Sequence, residues 1–131
     1  MVADRAHNSE WWGIKDPRLA YTLPYFDRYI EGLKIVHIQR DFYKSVASLA
    51  KRDNLSEEEA RKIQSQYQAA IYRQIGGAEK PYPVVDVSFE ALLHRPEIVL
   101  GGVMHFLTNN PYSSVELMQA ASWIDKDKVT V

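Results

Sequence analysis

The chain has 131 residues, 46% of them hydrophobic and 25% charged, the values of an ordinary globular domain, which exclude intrinsic disorder and collagen-like structure. Its 16 Lys and Arg against 17 Asp and Glu leave a net charge of −1, so there is no general basic surface for nucleic acid, and any anion site must be local. The absence of cysteine excludes disulfides, thiolate nucleophiles and cysteine-bound zinc and fits a reducing, cytoplasmic setting, while no apolar stretch is long enough to span a bilayer.

This length suits a single domain over residues 1–131, able to bury about 68% of the surface of its unfolded chain. Residues 1–10 are polar and read as irregular, without the hydrophobic region of a signal peptide. Trp11 to Ile14 is expected to form a short strand or a packed approach to one. Pro17 forces Asp16 into an extended or turn conformation. A helix is predicted from Leu19 to Ile30, starting late with Pro24 in its first turn, and Gly32 is a stop signal. Leu33 to Ile38 is apolar and β-branched, which predicts a central parallel strand buried on both faces. A helix follows from about Tyr43 to Arg52, with Val46, Leu49 and Ala50 at helical spacing. Ser56 and Glu59 form a capping box that opens a long helix to about Ile75. Its apolar stripe is Ile63, Tyr67, Ala70 and Ile71, and Gly76 and Gly77 end it. Pro83 to Val87 reads as a further strand and Phe89 to His94 as a short helix. Pro96 starts another helix through Phe106. The last helix, Ser113 to Ile124, carries Val115, Leu117, Met118, Ala121, Trp123 and Ile124. Alternation of this kind implies an α/β fold with a short parallel sheet of three strands covered by helices.

Two groups of residues are candidates for chemistry. Arg40 stands just past the C-terminal end of the Leu33–Ile38 strand, the edge at which open α/β sheets bind ligands. The chain then enters a helix, whose free N–H groups favour an anion, and Arg40 offers a planar fork for phosphate. Ser48, in the second turn of that helix, reaches the same anion only if the strand end folds back beside it. The alternative is an Arg40 paired with Asp41 or another carboxylate and a Ser48 facing solvent. The second group is Lys15, held before a rigid turn, where it can neutralise charge on a transferring group, with Arg18 capping the site or pairing with Asp16. A solvated loop lysine is the competing account.

The histidines His7, His37, His94 and His105 show no metal-ligand spacing. His37 and His105 read as satisfied core residues. The early aromatics Trp11, Trp12, Tyr21, Tyr25, Phe26 and Tyr29 read mostly as core, with some of them able to line an acceptor pocket, and the helical spacing of Tyr25, Phe26 and Tyr29 favours packing.

Lys15 to Arg18, the Lys34 to Gln39 strand, Arg40 through Ser48, the run Val87 to Pro96 and Met104 to Leu107 together resemble the sulfotransferases that use 3′-phosphoadenosine 5′-phosphosulfate (PAPS). The resemblance covers roughly residues 11–108 and is nearest the tyrosylprotein and bacterial carbohydrate branches. It implies a P-loop-type three-layer fold and sulfonate transfer from PAPS, without a metal, to a carbohydrate, a peptide tyrosine or a small hydroxyl compound. It implies that Arg40 and Ser48 hold the 3′-phosphate, that Lys15 stabilises the transferring sulfonate, and that Phe89 lies near the adenine. It does not imply nucleic-acid or membrane partners.

The chain departs from the family pattern as well. The family's Gly-rich phosphate loop has no counterpart, since Gly13 is the only glycine before Lys15. Pro17 stands where cytosolic members have histidine, Gln39 where many have Arg or Val, and the Arg-Lys-Gly loop is missing. The resemblance therefore corresponds to the C-terminal two-thirds of the fold, leaves a sheet edge uncovered and implies a homodimer or higher assembly. The alternative is a non-catalytic, truncated module of the same fold that binds nucleotide or protein. A nucleoside-phosphate kinase is weaker, since it too requires the absent loop.

Overall fold

The structure, a computed structural model, describes residues 13–76, 82–109 and 113–124. It is mixed α/β, with six helices and a two-stranded parallel sheet among these residues. The elements are α1 (Leu19–Asp27), β1 (Ile35–Gln39), α2 (Phe42–Asp53), α3 (Glu57–Ile75), β2 (Val84–Ser88), α4 (Phe89–His94), α5 (Pro96–Thr108) and α6 (Ser114–Ala121). Helices make up 64% of the described residues, so helix faces, rather than the sheet, supply most of the packing surface.

Several expectations are met because local signals are strong. Glu59 N–H donates to Ser56 Oγ at 3.1 Å and Ser56 N–H donates to Glu59 Oε2 at 3.1 Å, the reciprocal capping box that starts α3. Along α3, Ala60, Ala70 and Ile75 are buried and Ile63, Tyr67 and Ile71 half-buried. In α2 the stripe is Val46, buried, with Leu49 and Ala50 half-buried.

Other elements differ. Pro24 lies inside α1, not in a first turn, and α1 ends at Asp27. Tyr29 and Ile30 both donate to Phe26 O, a tightened closing turn that stops the helix before Ile30. Tyr25 and Tyr29 are exposed, so their shared spacing marks a solvent face, whereas Phe26 is half-buried. In α6 only Leu117 and Ala121 turn inward, and Val115, Met118 and Trp123 are exposed. Gly101 of α5 makes room for that packing, since a Cβ there would stand 3.3 Å from Leu117 Cδ1. His105 is exposed and is not a core residue. Trp11, Trp12, His7 and the expected irregular segment 1–10 lie outside the described residues. Gly13 and Ile14 carry no strand, so two strands are observed among the described residues against the three expected.

The sheet pairs Ile35 with Val84, His37 with Asp86 and Gln39 with Ser88. These alternate residues share one face, and Val36, Ile38, Val85 and Val87 share the other. On the first face, Ile35 and Val84 pack against a core of Leu23 from α1, Ile75 from α3 and Tyr82, joined by Leu33 and Ile71. On the second, α4 and α5 contact β2 and Val87 is buried. Val36 and Ile38 remain 37% and 56% exposed, so among the described residues β1 is an edge strand covered on one face only, not a strand buried on both. Nine hydrophobic residues are buried among the described ones, four of them alanine, and the core is correspondingly thin.

Candidate functional site

Both strands end at the same level, β2 turning directly into α4 and β1 reaching α2 after Arg40 and Asp41, which sets their next residues side by side. Gln39 is level with Ser88, and Arg40 and Phe89 follow. The Arg40 guanidinium carbon lies 4.9 Å from the centroid of the Phe89 ring, a cation–π contact between residues 49 positions apart. The Arg40 Nε is shielded from solvent. One residue further on, Asp41 N–H donates to Glu90 Oε1 at 3.1 Å. That bond from the Asp41 amide holds the Glu90 carboxyl below its ordinary range.

The entry to α2 is already partly occupied by carboxylates. The Asp41 side chain caps the helix by accepting from Lys44 N–H at 3.0 Å. Two amides at this end thus serve Asp41 and Glu90, which narrows the free N–H array expected for an anion. Ser88 caps α4 in the same manner, accepting from Ala91 N–H at 3.1 Å.

Between this strand end and the C-terminal half of α3 runs a groove of about 490 Å³. Its polar wall consists of His37, Gln39, Arg40, Ser45 and Asp86, and α3 supplies Gln64, Gln68 and Tyr72. His37 Nδ1 stands 2.9 Å from Asp86 Oδ1, and Gln39 Nε2–H donates to the same oxygen at 3.1 Å. His37 is therefore satisfied, as expected, but it faces a groove and not a core. Asp86 and Ser45 were not singled out by sequence, and Gln39 only as a departure from the family pattern. The available signal was the polar residue at matching positions of two apolar strands, His37 in one and Asp86 in the other.

Of the predicted site residues, Arg40 and Phe89 are brought into contact. Ser48 is half-buried on α2 and is not among the residues lining this groove, where Ser45 stands instead. Ser45 lies in the first turn of α2, whereas Ser48 is about 4.5 Å further along the axis, away from the strand end. Lys15 is exposed and borders a second groove, mainly apolar and of about 420 Å³, between the Ile14–Pro17 segment, α1 and β1. The two grooves share His37, Ile38, Ile71 and Ile75 as walls, so Lys15 and Arg40 border adjoining spaces. Arg18 pairs with Asp16, its Nη2 donating to Oδ2 at 2.6 Å and its Nε to Oδ1 at 3.0 Å. Those bonds from Arg18 lower the Asp16 carboxyl to about 2.

Among the described residues no group of three or more His, Asp or Glu side chains is placed to hold a metal ion, and no helix is long and apolar enough to cross a membrane. Compared with known protein families, curated proteins and solved structures, the chain gives no match.

Proposed function

We propose that this chain carries the nucleotide-anchoring side of a PAPS-dependent sulfotransferase site on part of a P-loop-type fold. Sulfonate would pass from PAPS to a hydroxyl acceptor once the 5′-phosphosulfate end is held. The observation that carries this reading is the Arg40–Phe89 contact beside a groove at the C-terminal ends of parallel strands, the position at which α/β sheets take ligands. Arg40 presents its guanidinium to the 3′-phosphate, and Ser45 or Ser48 adds a hydroxyl from α2. Phe89 holds Arg40 in place and offers aromatic surface toward the adenine. Lys15, from the adjoining groove, neutralises charge on the sulfonate as it moves. The edge of β1 that no described residue pairs with suits pairing with a second copy, which sedimentation at tens of micromolar tests: a strict monomer removes the assembly from the proposal.

The test of the site is a calorimetric titration with adenosine 3′,5′-bisphosphate (PAP), the product nucleotide. Micromolar binding is expected, and Arg40→Ala should weaken it by roughly 1.5–3 kcal/mol through lost charge-assisted hydrogen bonds. An unchanged dissociation constant in the variant defeats the assignment of Arg40. A second reading, a non-catalytic module for nucleotide or protein binding, is favoured by one feature, the engagement of the Lys44 and Asp41 amides at the entry to α2 by Asp41 and Glu90. Absence of PAP binding up to millimolar concentration would select it as a protein-binding module.

A further inference from the structure

We infer that His37, oriented by Asp86, is the proton acceptor of the groove, taking the proton of the acceptor hydroxyl during sulfonate transfer; this rests on the sulfotransferase reading above. Register partnership on the two strands brings the imidazole and the carboxylate together, with Nδ1 and Oδ1 2.9 Å apart. Two neighbours compete for Nδ1: Asp86 Oδ1 at 2.9 Å can only accept and requires a proton on Nδ1, whereas Gln39 Nε2 at 3.2 Å can only donate and requires a lone pair there. We assign the proton to Nδ1 because the bond to the carboxylate is the shorter and charge-assisted one, which leaves the lone pair of the ring on Nε2. Gln39 Nε2–H donates to the same Oδ1 and steadies it from a second direction. The His37 side chain is 22% exposed and lines the groove, so a solute can reach a ring that its partners hold in one orientation. The other charged or titratable groups facing the groove are Asp86 from β2, Arg40 at the end of β1 and Tyr72 from α3, while Ser45, Gln64 and Gln68 are neutral.

The step balances without a further reactant. The acceptor oxygen forms a bond to sulfur, the bond between sulfur and the bridging phosphate oxygen breaks, and that electron pair leaves with PAP. The acceptor proton passes to His37 Nε2, and Asp86 provides the counter-charge for the imidazolium.

The experiment compares two acceptors, phenol and 4-nitrophenol, the latter assayed at a pH where it is already ionised and needs no proton acceptor. In the full chain, His37→Gln should slow transfer to phenol roughly 100-fold to 10,000-fold. Transfer to 4-nitrophenolate and the PAP dissociation constant should stay as in the unsubstituted chain. Asp86→Asn should show the same acceptor selectivity with a smaller loss, as befits a positioning residue. Long-range ¹H–¹⁵N correlations should find the neutral His37 ring protonated on Nδ1. The inference is overturned by an Nε2–H tautomer, by equal losses on both acceptors, by an unchanged rate on phenol, or by weakened PAP binding in His37→Gln. PAP binding together with an Nε2–H tautomer of His37 overturns it and leaves the nucleotide site standing, whereas no PAP binding by the unsubstituted chain overturns both.

Discussion

Where β1 and β2 enter the sheet, the paired residues on the inner face are Ile35 and Val84, packed with Leu23, Ile75 and Tyr82. Two residues on, about 6–7 Å along the same face, the pair is His37 and Asp86, and beyond it Gln39 and Ser88. One backbone geometry thus carries an apolar half that excludes water and a polar half that opens to it. Each hydrogen bond of the polar half contributes only about 0.5–1.5 kcal/mol net, and less where both groups reach solvent, so stability does not account for it. The apolar half needs bulk, and the polar half needs geometry. Substitutions should therefore separate the two.

The largest expected effect is in the apolar half. Leu23 is 6% exposed, within the core cluster, and borders no part of the polar groove. Leu23→Ala should destabilise the fold by about 2–4 kcal/mol, since the cavity it leaves adds to the lost transfer energy. The urea midpoint should fall accordingly. At low urea the His37 ring resonances should remain where they are, and a shift there would show that the two halves are coupled.

A smaller effect is expected where the apolar half meets the helices behind it. Lys34, just before β1, donates from Nζ to Phe106 O at 2.9 Å and Leu107 O at 3.1 Å, and stands 5.6 Å from the Phe106 ring centroid. Its ammonium thus satisfies carbonyls at the C-terminal end of α5, where a helix favours positive charge. Lys34→Met keeps the stem and removes the charge. It should cost roughly 1–2 kcal/mol in thermal or urea unfolding with PAP affinity unchanged. A loss of PAP affinity would mean that the fold transmits strain from entry to exit.

The legible parts of the sequence were those fixed by neighbours a few residues away. The Ser56–Glu59 box, the α3 stripe, the Pro96 helix start and both observed strands follow from spacing and capping alone. The aromatic spacing of α1 misled because periodicity marks a face without saying whether anything covers it, and Tyr25 and Tyr29 face solvent. The both-faces burial of β1 failed for the same reason, because an apolar strand reads alike at the centre and at the edge. In the site, the meeting of Arg40 with Phe89 needed only the register of two strands. The choice between Ser45 and Ser48 depends on how the strand end enters α2, which the eight-residue spacing alone does not fix. His37 and Asp86 each interrupt an apolar strand with a polar residue, a signal that becomes a partnership only once the two strands are known to pair in parallel and in this register.

The smallest effect sharpens the comparison at a third place, the surface turn beside the open edge of β1. Asp16 accepts from Arg18 through Nε, Nη2 and the backbone N–H, and these bonds hold its carboxyl at about 2 against an ordinary 3.8. Because the folded value is depressed, the pair's contribution to stability is complete above the unfolded value and disappears as pH falls from about 4 toward 2. Salt screens so open a pair, so unfolding will scarcely register it, and the carboxyl titration itself is the proper observable. Arg18→Gln should return Asp16 toward 3.8, read from its side-chain carbon shift against pH, while PAP affinity stays constant. If the low value persists in that variant, the backbone amide and not the guanidinium holds the carboxylate. If PAP affinity falls instead, the Arg18 charge acts on the groove, and the polar half extends along the edge of β1 to Lys15.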